Sequence, residues 1–439
     1  MALTHEPTAL WRQLQATAGV IAAVRRGVSG TAALDAVGPG LRPGVQSLAF
    51  YVWRNLGRAQ ALRSALVSRA PAPATDALLC VALALLWNPD DSPYDAFTLV
   101  NQAVEALKRN PQWRAQANFV NACLRRFLRE RAELLAAIDG DLEALWNHPR
   151  WWIERVRRDH PQHWQTVLRA ANAHAPMTLR VNLRRCSAQD YMLHLQSAGI
   201  AAHQGEGAVV VLERAVPVTQ LPGFGEGWVA VQDAAAQWAA PLLLQGLGPC
   251  PRLLDACAAP GGKTAHLLEA SDASVVALEI DGTRLQRIHD NLQRLGLQAQ
   301  VIQGDAARPQ DWWDGAVFDG ILLDAPCTAS GIVRRHPDIR WLRRESDRGQ
   351  LAALQSQILQ ALWPLLRIGG RMVYCTCSIF RAEGEQQIDS FLARHTDARL
   401  CPSPGHLLPG GGGADCGVYD NSTHDHDGFY YALLEKHAA

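Results

Sequence analysis

Apolar residues at Leu10, Leu14, Ala18, Ile21 and Val24 recur three or four positions apart, the spacing of one helix face. From about residue 10 to residue 137 this helical periodicity is the only pattern. Residues 77–87 are almost wholly apolar, which predicts a helix at the centre of a bundle with Thr75 or Asp76 as its N-cap. Further helices are predicted over 96–108 and 117–135, with breaks at 88–92 and at Asn110-Pro111. Arg125, Arg126 and Arg129 fall on the polar face of the last one, where they either meet solvent or contact a phosphate backbone.

Between residues 146 and 222 the pattern changes. His148-Pro149-Arg150-Trp151-Trp152 opens a helix that runs to residue 173 and is rich in arginine and aromatic residues. A strand over 177–182, a helix over 187–199 and a strand over 208–212 follow, which together make a small α/β module. Arg180 and Asn182 share the strand face opposite Leu179 and Val181. Interleaved Arg and Trp suit either phosphate binding with stacking or an ordinary interface between domains. After a glycine-rich hinge at 223–227, strands over 252–257, 275–280, 300–303, 320–324 and 371–376 alternate with helices, notably 283–295 and 350–366. A late strand pair falls near 429–434. The alternation predicts a parallel, doubly wound sheet whose ligands sit at the C-terminal strand ends.

Composition narrows this picture. At 439 residues the chain has room for two to four domains of roughly 100–200 residues each. Formal net charge is zero, so no global basic field announces a polyanionic partner. All but three of the 42 lysine-plus-arginine residues are arginine, the mark of a biased codon usage, and against it Lys263 stands out. Ten cysteines show no paired framework, residues 1–10 carry no signal-peptide pattern, and the apolar run 77–87 is far short of a membrane span. The expectation is a soluble, cytoplasmic protein whose cysteines are buried, catalytic or metal-binding rather than bridged.

Asp255-Ala256-Cys257-Ala258-Ala259-Pro260-Gly261-Gly262-Lys263-Thr264 joins a strand to a helix through two glycines. Such a turn is either a plain connection or a cradle in which backbone N–H groups face an anion or nucleotide. A P-loop needs glycine where Cys257 stands, and the dinucleotide fingerprint spacing is absent. Asp255, Glu279, Asp305 and Asp324 end successive strands or begin their loops. One of them alone reads as an N-cap; four in register favour a nucleoside-type cofactor, with Glu279 placed for a ribose and Asp305 for an adenine amino group. Cys327 and Cys377 both lie just past a buried strand, as nucleophiles or as small buried hydrophobes. Cys375, Cys377, Cys401, Cys416, His406, His424 and His426 match no standard zinc spacing, so no metal is expected.

Two resemblances give these alternatives direction. Val104-Glu105-Ala106 with Phe119-Val120-Asn121-Ala122-Cys123-Leu124-Arg125-Arg126 resembles the NusB-type helical RNA-binding domain. Asp-Ala-Cys-Ala-Ala-Pro-Gly-Gly-Lys-Thr at 255–264, Asp-Ala-Pro-Cys at 324–327 and Thr-Cys-Ser at 376–378, in that order, resemble RNA (cytosine-5)-methyltransferases of the Sun (Fmu) family. Val231-Gln232-Asp233-Ala234 and the run from Arg334 to Leu342 strengthen the likeness, which spans nearly the whole chain.

The resemblance implies a Rossmann-like α/β methyltransferase domain (residues 223–439), preceded by an all-α NusB-like bundle (1–143) and a small α/β connector (144–222). It implies S-adenosylmethionine along Cys257, Ala258, Ala259, Pro260, Gly261, Gly262 and Lys263, with its ribose on Glu279, its adenine near Asp305 and Asp324 by the reacting centre. It implies Cys377 as nucleophile toward carbon 6 of a cytosine, Cys327 as the aid to product release, and Asp324 on the ring's polar edge. The implied substrate is small-subunit (16S) ribosomal RNA, expected naked or early in assembly; a monomer is the default expectation for the enzyme. Transfer RNA as substrate, or a non-catalytic ribosome-assembly factor, are the alternative readings. The family more often has Asp at Glu279 and a small residue at Cys375; in an extended strand Cys375 and Cys377 face the same way, so Cys375 is a candidate substitute. Arg334, Arg335, His336 and Arg340 are expected to form a basic loop for phosphates flanking a base flipped out of its stack.

Overall fold

The computed structural model describes residues 9–410 and 425–438. It divides into two compact units, Met1–Asn172 with Arg335–Glu345, and Ala173–Arg334 with Ser346–Ala439.

The first unit is helical, and the helix Pro73–Leu86 is its axis: every residue from Thr75 to Leu86 is buried. The helices Leu10–Arg25, Arg42–Leu66 and Ala96–Lys108 pack around it because each carries an apolar stripe at helical spacing. Neither Thr75 nor Asp76 caps the central helix. Its N-cap is Ala72, with Pro73 in the first turn, and Asp76 instead pairs with Arg25 at 2.7 Å and Arg63 at 2.9 Å. Proline explains the difference, since its fixed φ starts a helix without a side-chain cap. The helix expected over 117–135 breaks at Glu130 into Ala117–Arg129 and Arg131–Ala137, and Arg125, Arg126 and Arg129 are exposed along it. The helix expected to run from 148 to 173 is likewise two, Arg150–Asp159 and Trp164–Asn172.

The segment Arg335–Glu345 belongs to this helical unit, which corrects the expectation of a basic loop on phosphates. Arg340 is fully buried and donates to the carbonyls of Asn147 (3.2 Å) and Ala171 (2.6 Å) and to the Asn172 side chain. Asp338 accepts the Gly30 N–H at 2.9 Å, and Trp341 Nε1 donates to the Trp53 carbonyl at 2.8 Å. Arg334, in the other unit, is equally enclosed and pairs with Asp425 and Asp427, both at 2.5 Å. The basic residues at 334 and 340 are structural because each lies among buried acceptors that only a cation's several donors could satisfy.

The second unit contains two sheets. In the smaller, β1 (Met177–Val181), β2 (Ala202–Gln204), β3 (Val209–Leu212) and β4 (Val229–Val231) run antiparallel in the order β2-β3-β1-β4, with the helix Ala188–Ser197 packed on them. The larger holds β5 (Arg252–Ala256), β6 (Ser274–Glu279), β7 (Gln300–Gln303), β8 (Phe318–Asp324), β9 (Leu366–Thr376), β10 (Ala398–Leu407) and β11 (Phe429–Lys436). Its order is β10-β11-β9-β8-β5-β6-β7. The first five are parallel; β5, β6 and β8 and the C-terminal half of β9 are buried on both faces, hence their near-continuous apolar runs, while β7 lies at the edge and is only partly covered. The late pair is β10 and β11, added antiparallel beside β9. Strand order reverses at β5, which has β6 on one side and β8 on the other. A reversal leaves a crevice at the C-terminal strand ends, because the connections on its two sides leave in opposite directions.

Gly57 tests the packing of the helical unit. Its N–H donates to Asn147 Oδ1 at 2.7 Å, and a Cβ there would collide with the Glu143 carbonyl. Gly57→Ala is expected to lower stability by about 1–3 kcal/mol despite the better helix propensity of alanine, read by denaturant unfolding. An unchanged or raised midpoint would show that the Glu143 backbone yields freely.

Candidate active site

The crevice at the reversal is built by the loops after β5, β6, β7, β8 and β9. After β5 the chain turns sharply: Cys257 has φ 63°, the Ala259–Pro260 bond is cis, and Gly261 has φ 95° before the helix Gly262–Ala270 begins. Gly261 is required twice over, by its positive φ and by Ile288 Cα, 3.2 Å from where a Cβ would stand. At Gly262 the space is open, the nearest atom being Gln232 Nε2 at 3.8 Å. The first N–H groups of a helix have no helical acceptor, so this end of the turn offers donors and room together.

Behind the turn, Asp255 is buried and accepts the Thr264 hydroxyl at 2.5 Å. Arg180, also buried, forks onto Glu269 at 2.9 and 3.0 Å and donates to the Gly262 carbonyl at 3.0 Å. Asn182 donates to the Gly227 carbonyl at 3.1 Å. Of the two readings of these strand residues, the structure therefore selects the interface: Arg180 of the small sheet fixes the glycine turn of the large one.

The acidic residues occupy the rim with different partners. Glu279, only 2% exposed, accepts the N–H of Ala259 at 3.3 Å and of Asp281 at 3.0 Å, with Arg284 3.6 Å away. Asp305 accepts the Ala307 N–H at 2.9 Å and is half-buried; Gly304 N–H donates to the Glu279 carbonyl, which keeps the two loops together. Asp324 takes the Lys263 ammonium at 2.6 Å on one oxygen and faces the Cys375 thiol at 3.6 Å on the other. Burial draws the Lys263 pKa down, but Asp324 more than reverses it and the net shift is upward. Lys263 thus points at a neighbouring strand end, not outward from the turn.

Three thiols end β9 and its neighbour. Cys375 is fully buried, and burial followed by the charge of Asp324 pushes its pKa well up. Cys377, two residues on and on the same side, is only half-buried. Its Sγ lies 3.5 Å from that of Cys327 on the loop after β8. The contact with Cys377, and then burial, pushes the Cys327 pKa well up. The Cys257 thiol is pushed up as well, by burial and then by Asp324 and Glu279.

All the residues singled out at the strand ends converge here. The sequence reading passed over Glu383, Thr328, Ser378 and Gln355, a buried polar cluster beneath the two thiols. A glutamate in Arg381-Ala382-Glu383-Gly384-Glu385 reads as loop charge, and nothing in the local pattern separates it from Glu385. Among the described residues no group of three or more His, Cys, Asp or Glu is arranged to hold a metal, and Cys416 and His424 lie outside them.

Sheet order, strand-end carboxylates and a glycine turn define a Rossmann-like methyltransferase, for which S-adenosylmethionine is the methyl donor. A family model described as 16S rRNA methyltransferase RsmB/F matches residues 247–435, an RsmF/B-like ferredoxin-like domain matches 148–219, and the NusB family matches 31–129. Ribosomal RNA small subunit methyltransferase B of Serratia proteamaculans is 48% identical over 337 residues, 75% of each chain. Its counterpart from Vibrio cholerae is 42% identical over 402 residues, 89% of each chain. The crystal structure of PH0851 superposes with a TM-score of 0.73 at 26% identity, over 96% of this chain and 99% of that one. The chain belongs to the RsmB/F family of 16S rRNA methyltransferases.

Asp255 carries a pH signature. Burial lifts its carboxyl from the usual 3.8 to about 7, against the downward pull of the Thr264 hydrogen bond. Between those values the unfolded chain has released this proton while the folded protein keeps it. Its contribution is therefore full below the lower value and is lost as pH rises through the upper one, by up to about 1.4 kcal/mol per pH unit. Relative to Asp255→Asn, the wild type should lose stability to urea between about pH 4 and about pH 7 and level off above that. Parallel pH profiles for the two proteins would mean that Asp255 is ionised throughout.

Proposed function

We propose that the protein methylates carbon 5 of a cytosine in small-subunit ribosomal RNA through a covalent adduct on Cys377. The observation that carries the reading is the thiol pair: Cys377, half-open, stands 3.5 Å from the Cys327 thiol, beside Asp324 and the glycine turn.

Carbon 5 of cytosine is too weak a nucleophile to accept a methyl group unaided. The Cys377 thiolate adds to carbon 6, forming an S–C bond and shifting the ring's 5,6 electron pair onto carbon 5. S-adenosylmethionine supplies an electrophilic methyl group on a sulfonium, which that carbon takes up. Loss of the carbon-5 proton and expulsion of Cys377 as thiolate then restore the ring double bond. Cys327, adjacent to it, assists the release of the methylated RNA. Asp324, held by Lys263, hydrogen-bonds the polar edge of the base and stabilises the charge that develops on attack. Cys375 is enclosed behind Asp324, which leaves Cys377 as the thiol a flipped base reaches.

On the donor side, the turn from Cys257 through Ala258, Ala259, Pro260, Gly261 and Gly262 to Lys263 would carry the methionine end, with the N–H groups at the start of the helix, at Gly262 and Lys263, facing it. Glu279 would grip the ribose hydroxyls with the lone pairs left after Ala259 and Asp281, and Asp305 would face the adenine. The exposed Arg125, Arg126 and Arg129 face of the helical unit supplies backbone-phosphate contacts. We assign the substrate as naked or early-assembly RNA, which leaves the target base free to unstack, with the enzyme acting as a cytoplasmic monomer.

RNA carrying 5-fluorocytosine tests the chemistry, because fluorine cannot leave as the proton does. An adduct that survives denaturation is expected with wild type and Cys375→Ser but not with Cys377→Ser; its absence from wild type with donor and RNA bound would refute the covalent route. Glu279→Ala should weaken donor binding by about 1.5–3 kcal/mol, the worth of a hydrogen bond to a charged group, or roughly 10- to 150-fold in Kd. Equilibrium dialysis reads it, and an unchanged Kd would remove Glu279 from the donor site.

A further inference from the structure

Beneath the thiol pair lies a carboxylate that the mechanism above does not use. Glu383 is fully buried, as are Thr328, Gln355 and Ser378 around it. One of its oxygens accepts the Thr328 N–H at 2.9 Å and Gln355 Nε2 at 3.3 Å; the other accepts the Thr328 hydroxyl at 2.5 Å and the Ser378 hydroxyl at 2.6 Å. Each of these partners donates, which suits an acceptor-only carboxylate and no neutral side chain of the same shape. Thr328 directly follows Cys327 and Ser378 directly follows Cys377. A single side chain therefore holds the residue next to each thiol.

We propose that Glu383 is the positioning residue that sets the spacing of Cys327 and Cys377. The inference rests on the adduct chemistry proposed above and adds to it the element that brings nucleophile and releasing thiol into one pocket. The two thiols come from separate loops, after β8 and after β9. Backbone bonds tie those loops at Ala325 N–H to the Cys375 carbonyl and at Gly331 N–H to the Cys377 carbonyl, both 2.9 Å. Between these ties Glu383 is the shared partner that fixes the intervening turn. Its own segment is held in turn: its carbonyl accepts the Tyr374 hydroxyl at 2.9 Å and the Thr376 hydroxyl at 3.2 Å, and Gln355 also donates to the Pro326 carbonyl at 2.9 Å. Ser378 extends the cluster to Ser330 at 2.9 Å, further along the Cys327 loop.

Removing the carboxylate would leave both loops attached but free to shift. A displacement of about 1 Å at a reacting group costs on the order of a hundredfold in rate, while the donor turn, on other strands, is untouched. Glu383→Gln keeps one acceptor oxygen and opposes an NH2 group to donors, so it should retain part of the function that Glu383→Ala loses. Thr328→Val, which removes one hydroxyl at constant volume, should give a smaller loss that is not additive with Glu383→Gln, since both act through one cluster.

The experiment is single-turnover methylation and 5-fluorocytosine trapping by the full-length protein, with donor affinity, RNA affinity and melting temperature measured on the same samples. The expected result is a kcat and trapping rate lowered about a hundredfold in Glu383→Ala, with an intermediate loss in Glu383→Gln. Donor Kd and RNA KM should stay within about twofold. Wild-type rates in both Glu383 variants would overturn the positioning role while leaving the adduct chemistry intact. So would losses in kcat, KM and donor affinity that move together with the melting temperature. Should Glu383→Ala fail to fold, Glu383→Gln and Thr328→Val decide the matter, and additive effects of the two would overturn it. A wild-type enzyme that forms no adduct would instead refute the chemistry on which the role depends.

Discussion

An ammonium as enclosed as that of Lys263 is tolerable only with a carboxylate against it, and Asp324 is that carboxylate. The pair joins the helix after β5 to the end of β8, across the point where strand order reverses. Because Asp324 also faces Cys375 of β9, the ends of three adjacent strands are registered on one another by a few short contacts. Everything chemical in the site hangs from this register. The turn after β5, the Asp324 carboxylate and the loop that carries Cys377 are placed by the same pair. Breaking it would strand a buried charge, so the three strand ends cannot drift separately.

The second constraint acts from behind. Arg180 is on the small antiparallel sheet, yet its guanidinium reaches the Gly262 carbonyl and Glu269 on the helix that follows the turn. It adds to the hold of Lys263 on Asp324 and of Thr264 on Asp255. The orientation of the N–H groups at the helix start is thereby tied to the fold of the connector. Sequence separation between these residues is large, which is why the sequence leaves Arg180 open between phosphate binding and an interface until the two sheets are seen in one unit.

What the chain revealed in advance follows a physical division. Parallel strands buried on both faces leave apolar runs, and helices packed on one side leave stripes, so the strand–helix order and the late strand at 429–434 were legible, whereas its antiparallel sense and its partner at Ala398–Leu407 were not. The turn at 255–264 and the carboxylates were legible because glycines and charges at strand ends have few ordinary uses. Residues that act through distant partners were not. Thr75 and Asp76 resemble caps, yet proline at 73 takes that role and Asp76 pairs with Arg25 and Arg63 instead. Arg334 and Arg340 resemble a basic loop, and only the carbonyls and carboxylates around them reveal that they are buried. Glu383 was invisible for the same reason: its partners lie some 5 to 55 residues away along the chain.

The segment Arg335–Glu345 gives the helical unit a history as well as a shape. Three of its side chains complete that unit: Arg340 caps the carbonyls near Asn147 and Ala171, Asp338 holds Gly30, and Trp341 reaches Trp53. On the ribosome, these residues emerge roughly 170 residues after Asn172, about ten to thirty seconds later at ordinary rates of synthesis. The N-terminal helices therefore wait, with acceptors unfilled, until most of the methyltransferase sheet has been made. The two units are thus interleaved in synthesis: the first is begun first but is closed only by a segment that follows β8, and the second is completed after it.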